Sequence, residues 1–300
     1  MDTTGAFDLH VHAYPSLFPR LGDDLDLAEA YRRANFSGFV LKGHHESTSS
    51  RAYLLSRTFP ELAIVGGVVL NRFVGGLNPA AVDACLRTGG RVVWMPSIDA
   101  DGHAQAFGRT GGYDAQKSGL EGTSHGISIF NDHDVIRPEV YEIIDLIKEA
   151  GAILATSHLS TVEIKALIPL ALNRGVEKVV ITHPFFKVPA LDLECLAELT
   201  AQGAYAEFAY NTISPMWRLA EIGQVQAAVD RLGAERCILV SDGGQRHNPS
   251  PPEGLRIFAQ SLFELGVAEN SIDRMIRRNP QALLAPDTPN TRAPHDLNRN

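Results

Sequence analysis

Eight short apolar runs recur along the chain, and most are separated by a stretch with amphipathic helical spacing. The runs are Phe7–His12, Gly38–His44, Ala63–Leu70, Arg91–Ser97, Ala152–His158, Lys178–His183, Ala204–Phe208 and Cys237–Ser241. Val, Ile and Leu fill them without strict alternation, so both faces of each strand need cover, as in a parallel sheet. Helices are expected at Leu25–Asn35, Pro79–Thr88, Pro138–Ala150, Val162–Asn173, Leu191–Gln202 and Ile222–Leu232. Pro138 suits a first helical turn, and Gly151 follows as a terminator. Eight strand-then-helix units predict an α/β fold, a (β/α)8 TIM barrel, in one domain over residues 1–285. A doubly wound open sheet is the alternative. The chain has 300 residues, and a barrel of this kind needs about 250. Residues 286–300 are polar and rich in Pro and Asn, and read as a tail.

Composition narrows the partners. The formal charge is −8 and no basic run is present, which argues against nucleic acid. The apolar runs are strand-sized, so no membrane span is expected. Residues 1–7 lack the basic and apolar regions of a secretory leader. Cys85, Cys195 and Cys237 are odd in number, far apart and set among apolar residues. They read as buried free thiols in a reducing compartment, hence the cytoplasm. A small-molecule substrate is the expected partner, with association into a homo-oligomer common for barrels of this type.

One segment breaks the repeat. Residues 99–134 are Gly-rich, lack helical periodicity and follow the fourth predicted strand. A long loop in a compact barrel is usually functional. It is expected to overhang the barrel mouth as a lid, with a small hairpin around Ile127–Asp132.

Several predicted strands end in side chains able to hold a metal. His10 and His12 flank Val11, and period-two geometry points both imidazoles the same way. His158 and His183 end two further strands, and Asp242 follows Ser241 before the turn Gly243–Gly244. Parallel barrels gather their chemistry at these carboxyl ends. Ser160 and Glu163 form a capping-box pattern, so Glu163 needs no catalytic role. Lys42, His44 and His45 crowd the end of the second strand, and Glu207 the seventh. Arg72 and Lys187 are candidates to hold an anionic substrate group. Tyr14, Phe185, Tyr210 and Trp217 are candidate pocket walls.

The chain resembles the amidohydrolase superfamily of metal-dependent hydrolases. The likeness rests on DLHVH at 8–12, SHLS at 157–160, THP at 182–184, SDGG at 241–244 and RRNPQALL at 278–285. It implies a distorted (β/α)8 barrel holding one or two divalent ions, zinc first, with manganese, iron, cobalt and nickel as alternatives. His10, His12, His158 and His183 would be ligands, and Asp242 both ligand and general base. One departure stands out. Binuclear members carry a carboxylated lysine or glutamate at the end of strand four, where this chain reads Trp94-Met95-Pro96-Ser97, with Asp99 the nearest carboxylate. Either one ion is bound, or a bridge comes from the Lys42-Gly43-His44-His45-Glu46 segment or from Glu207. A weaker resemblance is to the polymerase-and-histidinol-phosphatase (PHP) phosphoesterases, in which His44 or His45 would be a ligand and His247 would join Asp242. Eight strands and the NPQALL ending favour the first likeness. It points to an uncharacterised subgroup and carries over no substrate.

The expected reaction is hydrolysis of a C–N or C–O bond in an amide, cyclic amide, lactone or ester. The metal lowers the pKa of water, Asp242 takes its proton, and the metal or His44 and His45 polarise the carbonyl. Rival readings are phosphoester hydrolysis of the PHP type, metal-dependent decarboxylation and a non-catalytic binding barrel.

Overall fold

A computed structural model describes residues 1–113 and 119–285. The predicted tail at 286–300 lies outside the described residues. The strands are β1 (Phe7–Val11), β2 (Gly38–Leu41), β3 (Ala63–Val65), β4 (Gly67–Val69), β5 (Val92–Trp94), β6 (Ile153–Ala155), β7 (Val179–Thr182), β8 (Tyr205–Ala209) and β9 (Cys237–Val240). All pair in parallel with their sequence neighbours, as β1-β2-β3 and as β4 through β9. β3 and β4 are two halves of one barrel stave, interrupted at Gly66.

That interruption has a steric cause. The segment after β2 crosses the stave, and a Cβ on Gly66 would lie 2.6 Å from the Thr48 backbone. Thr48 N–H donates to the Gly67 carbonyl (2.9 Å), its hydroxyl donates to the Leu41 carbonyl (2.6 Å), and Gly67 N–H donates back to that hydroxyl (2.9 Å). At the opposite seam Val11 pairs in parallel with Gly243, and His12 N–H donates to the Gly243 carbonyl at 2.9 Å. These two junctions join the sheets into the (β/α)8 barrel.

The helices are α1 (Asp24–Arg33), α2 (Ser49–Thr58), α3 (Pro79–Arg87), α4 (Asp101–Phe107), α5 (Pro138–Glu149), α6 (Thr161–Asn173), α7 (Leu193–Ala201), α8 (Tyr210–Ile213), α9 (Ile222–Leu232), α10 (Pro251–Glu264), α11 (Glu269–Asp273) and α12 (Asn279–Leu284). Their starts follow local chemistry. Asp23 and Asp26 make a capping box at α1, Asn78 caps α3, and Ser160 with Glu163 caps α6 as the sequence suggests. Glu163 also accepts from Ser128 Oγ (2.8 Å) and Ile129 N–H (3.0 Å), which ties the long segment to the barrel.

Apolar burial divides into two layers. Phe39, Val68, Val93, Leu154, Ile181 and Leu239 face outward against the helices, while Val40, Val69, Trp94, Ala155, Val180 and Val240 fill the barrel interior. Leu283 of α12 joins the inner layer, and Asn279 holds that helix by donating to the Ala234 and Cys237 carbonyls, both at 2.8 Å. Asp8 faces outward and acts as a clamp. Its buried carboxylate accepts from Tyr31 Oη of α1 (2.7 Å), Ser241 N–H after β9 (3.1 Å) and His10 N–H (3.2 Å). Burial pushes its carboxyl up to about 7. The three cysteines are free and buried.

Three local expectations change. Segment 99–134 is not all loop: Asp101–Phe107 forms α4, whose Gly102, His103 and Ala104 are buried. The small hairpin expected around Ile127–Asp132 forms a few residues further on: Phe130 bridges antiparallel to Ile136, Asn131 N–H donates to the Val135 carbonyl (2.9 Å) and Arg137 N–H to the Ile129 carbonyl (2.8 Å), while Ile127 bridges in parallel to Ala100. Helices α2 and α10 were not expected. α2 buries only Ser49, Ala52 and Leu55, too few apolar groups for a visible stripe. α10 opens on Pro251-Pro252, which look like an interruption yet suit a helix start.

The seam yields a test. Gly244 has φ +111°, and a Cβ there would lie 1.8 Å from the His12 carbonyl oxygen. Gly244→Ala should lower unfolding free energy by about 3 kcal/mol or more. Gly223→Ala, at an exposed position of helix α9, meets nothing within 4 Å and should gain up to about 1 kcal/mol. Urea denaturation of both variants checks the contrast, and equal stabilities would refute the seam constraint.

Candidate metal centre and pocket

The inward-facing ends of β1 and β9 meet at the barrel mouth. The pairing register of β1 shifts between Asp8 and Val11, and past that point His10 and His12 share one side while Val11 makes the seam. His10, His12 and Asp242 are buried and offer ligand atoms that all lie within 4.8 Å of one another. His10 Nε2 is 3.3 Å and His12 Nε2 3.2 Å from Asp242 Oδ1.

The outer ring nitrogens decide what those distances mean. His12 Nδ1 lies 3.0 Å from the Lys42 carbonyl, which can only accept, so Nδ1 carries the proton. The Lys42 ammonium can only donate to His10 Nε2 (3.1 Å), so His10 Nδ1 carries the ring proton and donates to Glu207 Oε1 at 2.9 Å. In neutral rings both Nε2 atoms then turn lone pairs toward a carboxylate oxygen. Burial keeps the rings neutral: it pulls His10 down to about 3 and His12 well below its ordinary value. Acceptors facing acceptors at such distances repel unless a cation sits among them. Ligand atoms bound at ~2.0–2.1 Å around a tetrahedral ion stand roughly 3.3 Å apart. The donor set therefore fits a divalent metal, and the Glu207 and Lys42 carbonyl contacts are the outer partners that metal-bound imidazoles require.

The positive group now nearest is Lys42, whose ammonium donates to His10 Nε2 at 3.1 Å. Burial pushes Lys42 down and Glu207 up, and the opposite charge of each moderates the shift of the other. Asn211 Nδ2 donates to Asp242 Oδ2 at 3.3 Å, and Asn248 Nδ2 donates to Asn211 Oδ1 at 2.8 Å. Gln245 Nε2 donates to the Asp242 carbonyl at 2.7 Å. One carboxylate oxygen of Asp242 thus faces the imidazoles while the other is held in an amide network.

His158 and His183 stand beside this trio, outside its 4.8 Å set, with ring centroids 5.1 Å apart and His183 6.1 Å from His10. His158 has a partner that sequence reasoning missed. His103 Nε2 is 2.8 Å from the Gly112 carbonyl and so carries a proton, making its Nδ1 an acceptor in the neutral ring. His158 Nδ1, 2.8 Å away, donates to it, which leaves His158 Nε2 unprotonated. His183 Nδ1 is buried with no hydrogen-bond partner among the described residues. Ser157, His183 and Asp242 have φ of 51°, 28° and 44°, strained backbone for non-glycine residues, at the turns leaving three strands.

The remaining candidates separate. His44 lines the pocket, stacks on His12 at 4.8 Å and meets Ser97 Oγ at 2.9 Å. His45 lies 3.6 Å from Glu46 and does not line the pocket, nor does His247. Arg72 is taken up by the Glu121 carbonyl (3.2 Å) and Asp99 (3.7 Å), and Lys187 lies over the Phe107 ring at 4.3 Å. Neither is a lining residue. Glu207 holds His10. Of the expected aromatic walls Trp217 lines the pocket, and Tyr14, Phe185 and Tyr210 do not. The pocket is narrow, and its lining adds Phe18, Arg20, Tyr113 and Phe186. Phe18 and Arg20 come from the loop after β1, and no motif in the sequence marks them.

Among solved structures, the chain is similar to a candidate 2-pyrone-4,6-dicarboxylic acid hydrolase from Pseudomonas putida, at 16% identity and TM-score 0.60, over 93% of this chain and 97% of that one. It is also similar to an amidohydrolase from Pseudomonas aeruginosa, at 11% identity and TM-score 0.61, covering 94% and 96% of the two chains. A third likeness is to 2,6-dihydroxybenzoate decarboxylase complexed with 2,6-dihydroxybenzoate, at 10% identity and TM-score 0.61, covering 94% and 99%. At these identities the likeness is one of fold. No curated protein sequence matches the chain significantly. A family model described as a family of unknown function, DUF6282, matches residues 5–207. With that match over more than half its length, and with the barrel of the amidohydrolases, the chain belongs to the DUF6282 family.

Proposed function

We propose that this chain is a metal-dependent hydrolase that cleaves a C–N or C–O bond at a carbonyl of a small molecule. The reading rests on one observation: two imidazoles held in the tautomer that turns their lone pairs on Asp242 Oδ1. His10, His12 and Asp242 would hold a single divalent ion, zinc first, since the end of β5 offers only Ser97, engaged by His44 and Asn71. When bound, that ion supplies Lewis acidity, acidifying water and polarising a carbonyl. Asp242 is the proton acceptor of the attacking water, with Oδ2 kept in place by Asn211. His158 presents an unprotonated Nε2 because His103 occupies its other nitrogen, and burial holds the ring neutral, so it can accept a hydrogen bond from water or substrate at the mouth. Aromatic rings and the segment carrying α4 limit water in the pocket. Buried free thiols fit a cytoplasmic setting. Among the described residues no helix is long and apolar enough to cross a membrane.

Decarboxylation is the second reading. The fold neighbour named as a decarboxylase supports it, and release of carbon dioxide rather than a hydrolysed product would single it out.

Metal analysis of the purified chain should find about one ion per chain, with His12→Ala losing it while keeping the wild-type circular dichroism spectrum. A wild-type chain that binds no divalent metal on titration removes the hydrolase reading. Glu207→Ala frees the outer nitrogen of His10 and should weaken metal binding about 10–100-fold in competition with a chelator. Unchanged affinity would show that Glu207 does not support the centre.

A further inference from the structure

Arg20 is a cation that the fold buries without an ion pair, its guanidinium lying over the Phe18 ring at 5.8 Å. The residue is 6% exposed and lines the pocket above the metal centre. Its Nε donates to Ser16 Oγ at 3.2 Å, and its carbonyl accepts from Arg246. Neither terminal guanidinium nitrogen has a hydrogen bond, and no carboxylate lies within ion-pair distance, among the described residues. Burial draws its pKa down only to about 10, so the group stays charged at neutral pH. Asp242 across the pocket attracts it from beyond ion-pair distance, while Arg51, the next cation, is committed to Asp24 and Glu46 and adds repulsion. The Tyr113 phenol nearby is pushed up by burial and stays neutral. A desolvated guanidinium of this kind is destabilising until something anionic meets it, and its planar fork matches a carboxylate in two parallel hydrogen bonds.

The facing wall limits the shape of that anion. Phe18 lies 5.6 Å from Tyr113, and Trp217 lies 5.5 Å from Tyr113 and 5.4 Å from Phe186, at interplanar angles of 55° to 66°. Ring faces and edges so arranged suit a flat π-system better than a saturated ring. The Trp217 indole N–H is buried without a partner among the described residues, a second donor for a substrate oxygen.

We propose that the pocket takes a planar, unsaturated carboxylic acid whose carboxylate is held by Arg20 with its ring against Tyr113 and Trp217. The hydrolase reading is needed only for what then happens to that acid; the recognition itself is separate from it.

Binding of benzoate, benzamide, cyclohexanecarboxylate and phenyl phosphate is measured by calorimetry on metal-loaded and chelator-stripped protein, for wild type, Arg20→Ala and Arg20→Lys. Benzoate should bind wild type in both metal states, and about tenfold or more tighter than benzamide. It should also outbind cyclohexanecarboxylate. Arg20→Ala should lose benzoate about tenfold or more, with Arg20→Lys between them and metal content unchanged in both. Equal binding of benzoate and benzamide, or equal binding by wild type and Arg20→Ala, overturns the assignment. So does a preference for phenyl phosphate or for the saturated acid. A wild type that holds no metal yet binds benzoate through Arg20 sinks the hydrolase reading and leaves this one standing. The opposite pattern, metal held and benzoate indifferent to Arg20, does the reverse.

Discussion

The seam between β1 and β9 is the contact on which both the fold and the site depend. Val11 pairs with Gly243, His12 donates to the Gly243 carbonyl, and Gly244 passes so close to the His12 carbonyl that no side chain fits. Asp8 braces the same junction from outside by binding Ser241 N–H and Tyr31. Closing the barrel therefore brings Asp242 beside the two histidines of the first strand. The residues that make the centre and those that shut the sheet are interleaved one by one, so neither is assembled without the other.

Burial then sets the chemistry. In water, neighbouring imidazoles and a carboxylate would share a proton or draw apart. Here desolvation disfavours imidazolium, while Glu207 and the Lys42 carbonyl dictate which nitrogen is protonated. The outcome is a set of electron pairs pointed inward with little freedom to turn away. Such preorganisation stores an unfavourable arrangement in the protein, and the strained φ of His183 and Asp242 belongs to the same pattern.

Much of this was legible in the sequence. Unalternated Val, Ile and Leu runs revealed parallel strands, and the strand-end positions of His10, His12, His158, His183 and Asp242 placed them at one mouth. The structure separates them into a close trio and two flanking rings, a difference of a few ångströms that strand counting does not resolve. Other members were hidden because their chemistry is created by distance along the chain. His103 matters through a contact with a residue 55 positions away, and Arg20 through the lack of an ion pair. Arg72 looked equally suited to an anion, but Asp99 and the Glu121 carbonyl already occupy it. Helix α2 escaped notice because hydroxyl and charged residues outnumber its buried apolar ones.

Helix α4 packs so tightly on the turn after β6 that a Cβ on Gly102 would lie 2.9 Å from the His158 carbonyl oxygen, and its His103 grips the neighbouring imidazole. Helix α4 thereby fixes where one hydrogen sits on a ring it does not itself carry. Remodelling that helix for a different guest would release the ring to exchange tautomers. In this barrel, the breadth of molecules admitted and the basicity of an interior nitrogen are inherited together.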